Sequence, residues 1–393
     1  MKQPLRLYDN AGIPSALLFA MAAMAAISVA NIYYCQPLLA LMGNDLGVGE
    51  WRASLIAMIT QAGYACGLFF VIPSGDMFDR RKIVACSFTL LAVALLCIAL
   101  SGNFHAVMAA SFAVGVGSVM PQIFIPIAAQ YSRPEEKGAH VGLIVSGLLT
   151  GILASRVVSG LVGEWLGWRA MYAIAAAVML VCTLVVWRIM PCTESNYRGS
   201  YRRLMGSLLS ILRDYPLLRI CALRAALAFG SFLALWASLT FHMAQAPFFA
   251  GSDTVGLLGL CGVAGAMTAS VVGRFVGRFG VRNFNLTGAA LMLTAWAVAY
   301  FAGDTYAAII AAILLLDIGM QCIQLSNQTV IFALNPKASN RINTIFMTLY
   351  FIGGSLGTFL SGTAWSRAGW GGVAATGAML ALCSLGITLI AKR

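Results

Sequence analysis

Residues Pro73–Lys82 read PSGDMFDRRK and lie between two long apolar stretches. Five of these ten residues carry a charge, although only 10% of the 393 residues of the chain do so. On either side, the chain has no Asp, Glu, Lys or Arg from residue 53 to 75 or from residue 83 to 132. An α-helix needs about 20 apolar residues to cross the hydrocarbon core of a bilayer. The charged segment is therefore expected to be a short loop between two membrane-spanning helices.

The same alternation continues along the whole chain and predicts twelve spans. The apolar stretches fall at 14–38, 52–72, 83–101, 104–128, 140–163, 168–190, 218–245, 254–275, 283–302, 305–331, 342–364 and 371–391. Hydrophobic residues make up 60% of the chain and the mean hydropathy is +0.87, which excludes a water-soluble fold. The first span follows Lys2 and Arg6. We interpret it as a retained helix, because it is too long for a signal peptide and eleven more spans follow.

Basic residues are distributed unequally between the two membrane sides that twelve spans define. One side, called the basic face, receives twenty of them, namely Lys2, Arg6, Arg80, Arg81, Lys82, Arg133, Lys137, Arg188, Arg198, Arg202, Arg203, Arg213, Arg219, Arg274, Arg278, Arg282, Lys337, Arg341, Lys392 and Arg393. The other side receives Arg52, Arg169 and Arg367. This asymmetry predicts that the basic face and both termini are cytoplasmic. The net charge of +12 is then an orientation signal and not a sign of nucleic-acid binding.

A polar stretch and a weak internal repeat divide the chain into two halves. The only long polar stretch, residues 191–216, predicts a cytoplasmic linker between six-helix bundles at 1–190 and 217–393. A shift of 202 residues aligns Gly151, Gly167 and Trp168 with Gly353, Gly369 and Trp370. Parallel repeats of this kind are typical of transporters that bind substrate between the halves near the middle of the membrane.

The loop Pro73–Lys82 resembles the Asp-plus-basic signature of the major facilitator superfamily, and Gly273–Arg282 looks like a degenerate copy in the second half. Asn31–Leu39, Gln61–Tyr64 and Gly147–Arg156 are similar to the twelve-span efflux branch that contains drug/proton antiporters. The resemblance implies an all-α membrane protein with two pseudo-symmetric six-helix bundles.

The resemblance also implies a role for the loop charges Asp76, Arg80 and Arg81. They would form a cytoplasmic gating motif that locks one conformation and releases in the other. The alternative is that these charges only determine topology.

Three charged residues remain inside the predicted spans once those in the loops and at the span ends are assigned to the two faces. Asp317 is the only acidic residue well within a span, Arg156 lies deep in the fifth span and Arg224 lies in the first turns of the seventh. Burying such groups costs roughly 2.5–3.5 kcal/mol each, so they normally face a partner or a water-filled cavity. Asp317 has the chemistry for proton coupling or substrate contact, with a fixed structural pair as the alternative. Arg156 is either a cavity anchor or a structural partner, and Arg224 has the position of an interfacial arginine.

Polar residues elsewhere in the spans predict the wall of a substrate cavity. Gln321, Gln324 and Gln328 follow Asp317 at helical spacing, and Asn327 lies beside them. In the first half, the expected cavity residues are Asn31, Tyr34, Gln36, Gln61, Tyr64 and Gln122. The resemblance supports the residues on spans one, four and ten, because spans one, four, seven and ten line the cavity in that superfamily. Gln61 and Tyr64 lie on span two and are expected to reach the same space. Each residue could instead stabilise helix packing.

Together these features predict a secondary transporter and not an enzyme. The favoured function is proton-coupled efflux of small organic compounds by alternating access; an uptake permease for a metabolite such as a sugar is the alternative, followed by a non-transporting sensor. The sequence shows no nucleotide loop, metal cluster or nucleophile–base pair, so no cofactor or metal is expected. The expected partners are a small-molecule substrate, protons and the lipid bilayer. We expect a monomer in the cell membrane, which is the inner membrane in a bacterium.

Overall fold

The structure is a computed structural model that describes residues 7–191, 199–335 and 338–391, without the side chains of 264, 266 and 269–274. The regular structure of these residues is helical, with no strand. Its α-helices are α1 (Ser15–Ala30), α2 (Cys35–Asp45), α3 (Glu50–Cys66), α4 (Arg80–Leu100), α5 (Phe104–Gly117), α6 (Pro121–Tyr131), α7 (Lys137–Leu166), α8 (Trp168–Ile189), α9 (Tyr201–Asp214), α10 (Pro216–Met243), α11 (Ser252–Leu258), α12 (Gly262–Phe279), α13 (Val281–Ala302), α14 (Tyr306–Leu334) and α15 (Ser339–Ile390). Of the basic-face residues, Lys2, Arg6, Arg198, Lys337, Lys392, Arg393 and the side chain of Arg274 lie outside the described part.

The predicted spans correspond to helices throughout the described residues, where ten helical segments are long and apolar enough to cross a membrane. One of these segments, α15, bends at Ala368 and Gly369, whose backbone is not helical, and so comprises spans eleven and twelve. The eighth span consists of α11, a 3-10 turn at Gly259–Cys261 and α12. The all-α membrane fold is thereby confirmed.

Spans one and four are also interrupted, which the apolar pattern alone does not predict. The first span is divided between α1 and α2, and the fourth between α5 and α6. Pro121 is the first residue of α6, a position where its missing N–H is not needed. At the end of α1, Asn31 Nδ2 donates to the carbonyl oxygen of Ile27 at 2.9 Å. This bond satisfies a carbonyl group that the broken helix leaves without a backbone partner.

The internal repeat corresponds to equivalent structure in the two halves. Gly167 and Gly369 both have positive φ angles, 83° and 57°, directly before a tryptophan. Glycine adopts this conformation without steric cost. Gly151 of α7 packs against the backbone of Ala26 in α1, and Gly353 of α15 packs against the backbone of Ala226 in α10. The repeated glycines therefore make matching helix contacts within each half.

Helix α9, within the polar linker, contacts both halves at the basic face. It buries Leu204, Leu208 and Ile211 along one side, so it is amphipathic. Tyr201 Oη donates to the carbonyl oxygen of Phe70 at 2.8 Å, and Arg341 Nη1 donates to Ser207 Oγ at 3.3 Å. Helix α9 thus contacts residues from both halves.

The two glycine contacts give a first prediction about stability. A methyl group at Gly151 or Gly353 would overlap backbone atoms of the neighbouring helix, which would have to move away. We expect Gly151→Ala and Gly353→Ala each to cost about 1–3 kcal/mol and to lower the midpoint of thermal unfolding in detergent. Gly142→Ala is the matched control, because no heavy atom lies within 4 Å of the added methyl group. Equal midpoints for all three variants would contradict the close packing.

Candidate functional site

A cavity of about 630 Å³ lies between the two halves. Its polar lining includes Tyr33, Tyr64, Gln122 and Arg156 from the first half and Asp317, Gln321, Gln324, Gln328, Asn343 and Tyr350 from the second. Asp76, Arg80, Asn340 and Arg341 line the end of the cavity at the basic face. Small-molecule sites combine a mostly apolar wall with a few converging polar groups in this way.

Helix α14 supplies one wall of the cavity. Asp317, Gln321, Gln324 and Gln328 recur at three- and four-residue intervals, and all four line the cavity. Tyr350 Oη donates to Gln324 Oε1 at 3.1 Å, and Gln328 Nε2 donates to Asn343 Oδ1 at 3.2 Å. These bonds orient the amides of α14 against α15.

Arg156 extends from α7 into an aromatic and polar surrounding. Its side chain is only 2% exposed. Its Nε donates to Gln36 Oε1 at 2.9 Å. The guanidinium carbon lies 4.0 Å from the ring centroid of Trp236 and 5.3 Å from that of Tyr33. Cation–π contacts in a desolvated site contribute about 2 kcal/mol or more, so the protein holds this cation in one place.

Asp317 and Arg156 interact electrostatically but do not touch. Both are described, and no ion pair within 4.0 Å joins them. A methyl group built on Gly262 would lie 3.8 Å from Asp317 Oδ2 and 4.0 Å from Arg156 Nη1, so the charged atoms approach the same small residue. Asp317 is 5% exposed. Its Oδ2 and the Nη2 of Arg156 have no hydrogen-bond partner among the described residues.

Aromatic rings form the apolar part of the cavity wall. Phe229 of α10 stacks on Tyr350 with 3.9 Å between ring centroids, and Tyr64 of α3 lies 4.2 Å from Phe351. All four residues line the cavity. The second ring pair joins the two halves, so the aromatic surface is continuous across their interface.

Charged side chains surround the cavity end at the basic face. Asp76 interacts electrostatically with Arg80 of its own half and with Arg341 of the other half. Arg80 is mostly buried; its Nε donates to the carbonyl oxygen of Gly75 at 3.2 Å and its Nη1 to Gln130 Oε1 at 3.1 Å. Relative movement of the halves would therefore change the separation between Arg341 and Asp76.

At the opposite end, direct hydrogen bonds join the halves. We call the four residues Glu50, Glu164, Ser252 and Trp365 the distal seal. Trp365 Nε1 donates to Glu50 Oε2 at 2.5 Å, and the backbone N–H of Ser252 donates to Glu164 Oε2 at 2.9 Å. Ser252 Oγ also donates to the carbonyl oxygen of Gly160 at 2.9 Å. Hydrogen bonds between the halves thus lie at this end, and charged side chains line the cavity at the other.

Comparison with known proteins agrees with this architecture. A family model described as Major Facilitator Superfamily matches residues 18–358. The uncharacterized transporter YgaY of Escherichia coli O157:H7 is 38% identical, with 96% of this chain and 95% of that protein covered. The probable transporter SCO4007 of Streptomyces coelicolor is 32% identical, with 92% and 84% covered. The chain belongs to the major facilitator superfamily.

The fold of this superfamily is also shared with solved structures. A bacterial homologue of the human lysosomal transporter Spinster, in an inward-facing and unoccupied conformation, matches with a TM-score of 0.75 at 14% identity. The match covers 95% of this chain and 94% of that one. Members of the major facilitator superfamily are multi-pass membrane transporters of small molecules and not enzymes, and these statements hold for this chain.

Several side chains predicted for the site lie outside the cavity lining of this superfamily member. They are Asn31, Tyr34, Gln36, Gln61, Arg81, Arg224 and Asn327. Asn327 Nδ2 donates to Asn285 Oδ1 at 2.7 Å, which is a helix-packing contact. Arg224 Nη2 donates to the carbonyl oxygen of Ile387 at 3.4 Å, and Arg81 lies over the ring of Trp187. Gln36 reaches the site indirectly, because it holds Arg156.

Sequence reasoning missed the residues that surround Arg156 and those that form the distal seal. Trp236 and Tyr33 are apolar or aromatic residues in apolar spans, and nothing in their spacing distinguishes them from lipid-facing neighbours. Glu50 and Glu164 belong to loops by their charge, so their contacts across the halves depend on tertiary structure. The sequence did offer one signal: Glu50 and Glu164 are each the single acidic residue at a helix end on the side opposite the basic face.

The distal seal gives a second prediction. Glu50→Ala and Glu164→Ala each remove acceptors of bonds between the halves, at a cost of about 0.5–1.5 kcal/mol per bond. We expect a two- to tenfold faster amide hydrogen exchange over residues 244–256, measured by mass spectrometry. Asp45→Ala is the control, since Asp45 accepts from Trp168 Nε1 within its own half. Exchange rates equal to those of the unmodified protein would show that these bonds do not hold the halves together.

Proposed function

We propose that the chain is a proton-coupled antiporter that exports small organic compounds by alternating access, with Asp317 as the coupling group. One observation carries this proposal: a buried carboxylate with an unpartnered oxygen lines the cavity between the halves, beside a fixed cation. A carboxyl group can bind and release a proton as its access to water changes from one side of the membrane to the other. The 5% exposure of Asp317 supplies the required isolation from bulk solvent.

The proposed cycle uses the two ends of the cavity in turn. With the distal seal closed, substrate enters from the basic face and binds beside ionised Asp317. Opening of the seal then releases substrate on the far side, where Asp317 takes up a proton. Return of the protonated carrier brings Asp317 back to the basic face and releases the proton there. Asp76 and Arg80 of the first half and Arg341 of the second would gate this face, because the distances from Arg341 to the other two depend on how the halves are arranged.

The orientation of the cycle follows from the basic residues. We assign the basic face and both termini to the cytoplasm, as the positive-inside rule requires. Residues 191–216 are then a cytoplasmic linker between the bundles 1–190 and 217–393. The abundant arginines serve this orientation, which leaves no need to invoke nucleic-acid binding.

The proposal predicts proton movement on substrate addition. In inverted membrane vesicles with an acidic interior, an exported compound should enter in exchange for protons and reverse the acidification that a pH-sensitive dye reports. One-for-one exchange accumulates substrate about tenfold for each pH unit. Cationic drugs, sugars and small organic acids form the test panel. Flux that neither dissipates nor responds to the pH gradient would support facilitated transport in place of antiport.

A further inference from the structure

The cavity contains two unpartnered atoms of opposite charge. Arg156 Nη2 and Asp317 Oδ2 are both buried, both belong to side chains that line the cavity, and neither has a hydrogen-bond partner among the described residues. Leaving a buried charged group unsatisfied costs more than leaving a neutral one. Because the two side chains are held apart without forming an ion pair, the geometry leaves space for a bridging group.

Each side chain has only part of its bonding capacity used by the protein. In Arg156, Nε is bound to Gln36 and one face of the guanidinium lies on Trp236, so Nη2 remains to donate toward an acceptor. Asp317 has no hydrogen bond among the contacts that the structure describes, and its Oδ2 requires a donor. A ligand that satisfies both atoms must carry an acceptor and a donor close together.

Charge balance decides the chemical class of that ligand. The ionised Arg156–Asp317 pair has no net charge, so an added cation or anion would introduce an uncompensated charge deep in the membrane, at roughly 2.5–3.5 kcal/mol. A zwitterion adds no net charge and supplies a carboxylate for Arg156 and an ammonium for Asp317. A compact zwitterion that forms a charge-assisted bond of about 2.7–2.9 Å at each end spans a gap larger than the distance across a direct ion pair.

We propose that the substrate is a zwitterionic amino compound with an apolar body: its carboxylate binds Arg156, its ammonium binds Asp317, and the body packs against Phe229, Tyr350 and Phe351. This inference rests on the proposed function of the same cavity. It adds a reason for antiport, since the ammonium group and the proton compete for one carboxylate. Uptake of a proton by Asp317 removes the anion that holds the ammonium, so the zwitterion leaves as the proton binds. One-for-one exchange then moves one positive charge inward per cycle.

The test uses probes that each lack one charge. Phenylalanine and leucine are zwitterions, their amides lack the carboxylate, and their N-acetyl derivatives lack the ammonium. We expect the purified protein, studied by calorimetry in detergent, to bind a zwitterion roughly tenfold to a hundredfold more tightly than either derivative. In Arg156→Gln, the preference for the zwitterion over the amide should disappear. In Asp317→Asn, the preference over the N-acetyl compound should disappear.

Arg224→Gln is the matched control, because this buried arginine lies outside the cavity lining and should leave the ranking of the probes unchanged. If neither zwitterion binds more tightly than its derivatives, the inference is overturned, while proton-coupled flux of other compounds in vesicles would leave the proposed function intact. If the charge-matched pattern is found and no proton moves, the substrate class stands and proton coupling fails. If Arg224→Gln loses the preference for the zwitterion while Arg156→Gln and Asp317→Asn keep it, the contacts assigned to Arg156 and Asp317 are also wrong.

Discussion

Replacement of Asp317 by asparagine is expected to abolish accumulation driven by a pH gradient while exchange of substrate for substrate continues. Asparagine has nearly the same shape as aspartate and keeps an oxygen acceptor, but it cannot bind or release a proton in this cycle. The variant should therefore still bind and reorient with substrate. Binding should weaken by roughly tenfold, because a charge-assisted hydrogen bond becomes a neutral one.

Two assays in proteoliposomes separate these effects. Gradient-driven accumulation should fall from about tenfold per pH unit to none. Counterflow, in which labelled substrate exchanges for unlabelled substrate without a gradient, should persist at higher substrate concentration. Undiminished accumulation would assign Asp317 to a structural pair and place the coupling group elsewhere.

Asp76→Asn is the matched control, since it makes the same chemical change in another carboxyl of the same cavity. Asp76 lies at the basic face and interacts with Arg80 and Arg341. If it gates the movement of the halves, its replacement should slow accumulation and counterflow together. A variant that loses only gradient-driven transport identifies the coupling carboxyl, and we expect that result for position 317 alone.

The sequence predicts the spans well because the physical constraint behind them is local. A helix in lipid must be apolar over its whole length, and each apolar stretch therefore appears directly in the sequence. Breaks such as the one between α5 and α6 are not apparent, because a helix end buried inside the protein needs no loss of hydrophobicity. Helix α9 is likewise not apparent from the sequence, since its arginines give the linker a polar composition although one side of the helix is apolar.

The candidate site is predictable only in part, for a related reason. The cost of burying charge selects Asp317, Arg156 and Arg224 from the sequence, but the partner of each depends on contacts between distant helices. The structure places Asp317 and Arg156 around Gly262 and places Arg224 against α15. Helical spacing correctly groups Gln321, Gln324 and Gln328 with Asp317 on one wall, because that relation lies within a single helix.

A second large effect is expected for Arg156→Lys, although the substitution keeps the charge. The guanidinium group of Arg156 donates from Nε to Gln36 while its plane lies over Trp236. A lysine ammonium is a point charge without a planar face, so it cannot make both contacts and present a further N–H toward the cavity. We expect the rate of counterflow to fall roughly tenfold to a hundredfold, the loss of one or two charged hydrogen bonds. Arg224→Lys is the control and should leave counterflow unchanged.

The role of Gln36 in this effect can be isolated by a double-mutant cycle. Gln36→Leu removes the acceptor for Arg156 Nε and should by itself slow counterflow several-fold, because the guanidinium loses its fixed orientation. When Gln36→Leu is added to Arg156→Lys, it should slow counterflow little further, since the bond between these side chains is already absent. A coupling energy of about 0.5–3 kcal/mol is expected for residues that share such a contact. Strictly additive effects would mean that Gln36 and Arg156 act separately, and that the orientation of the guanidinium group depends on Trp236 and Tyr33 instead.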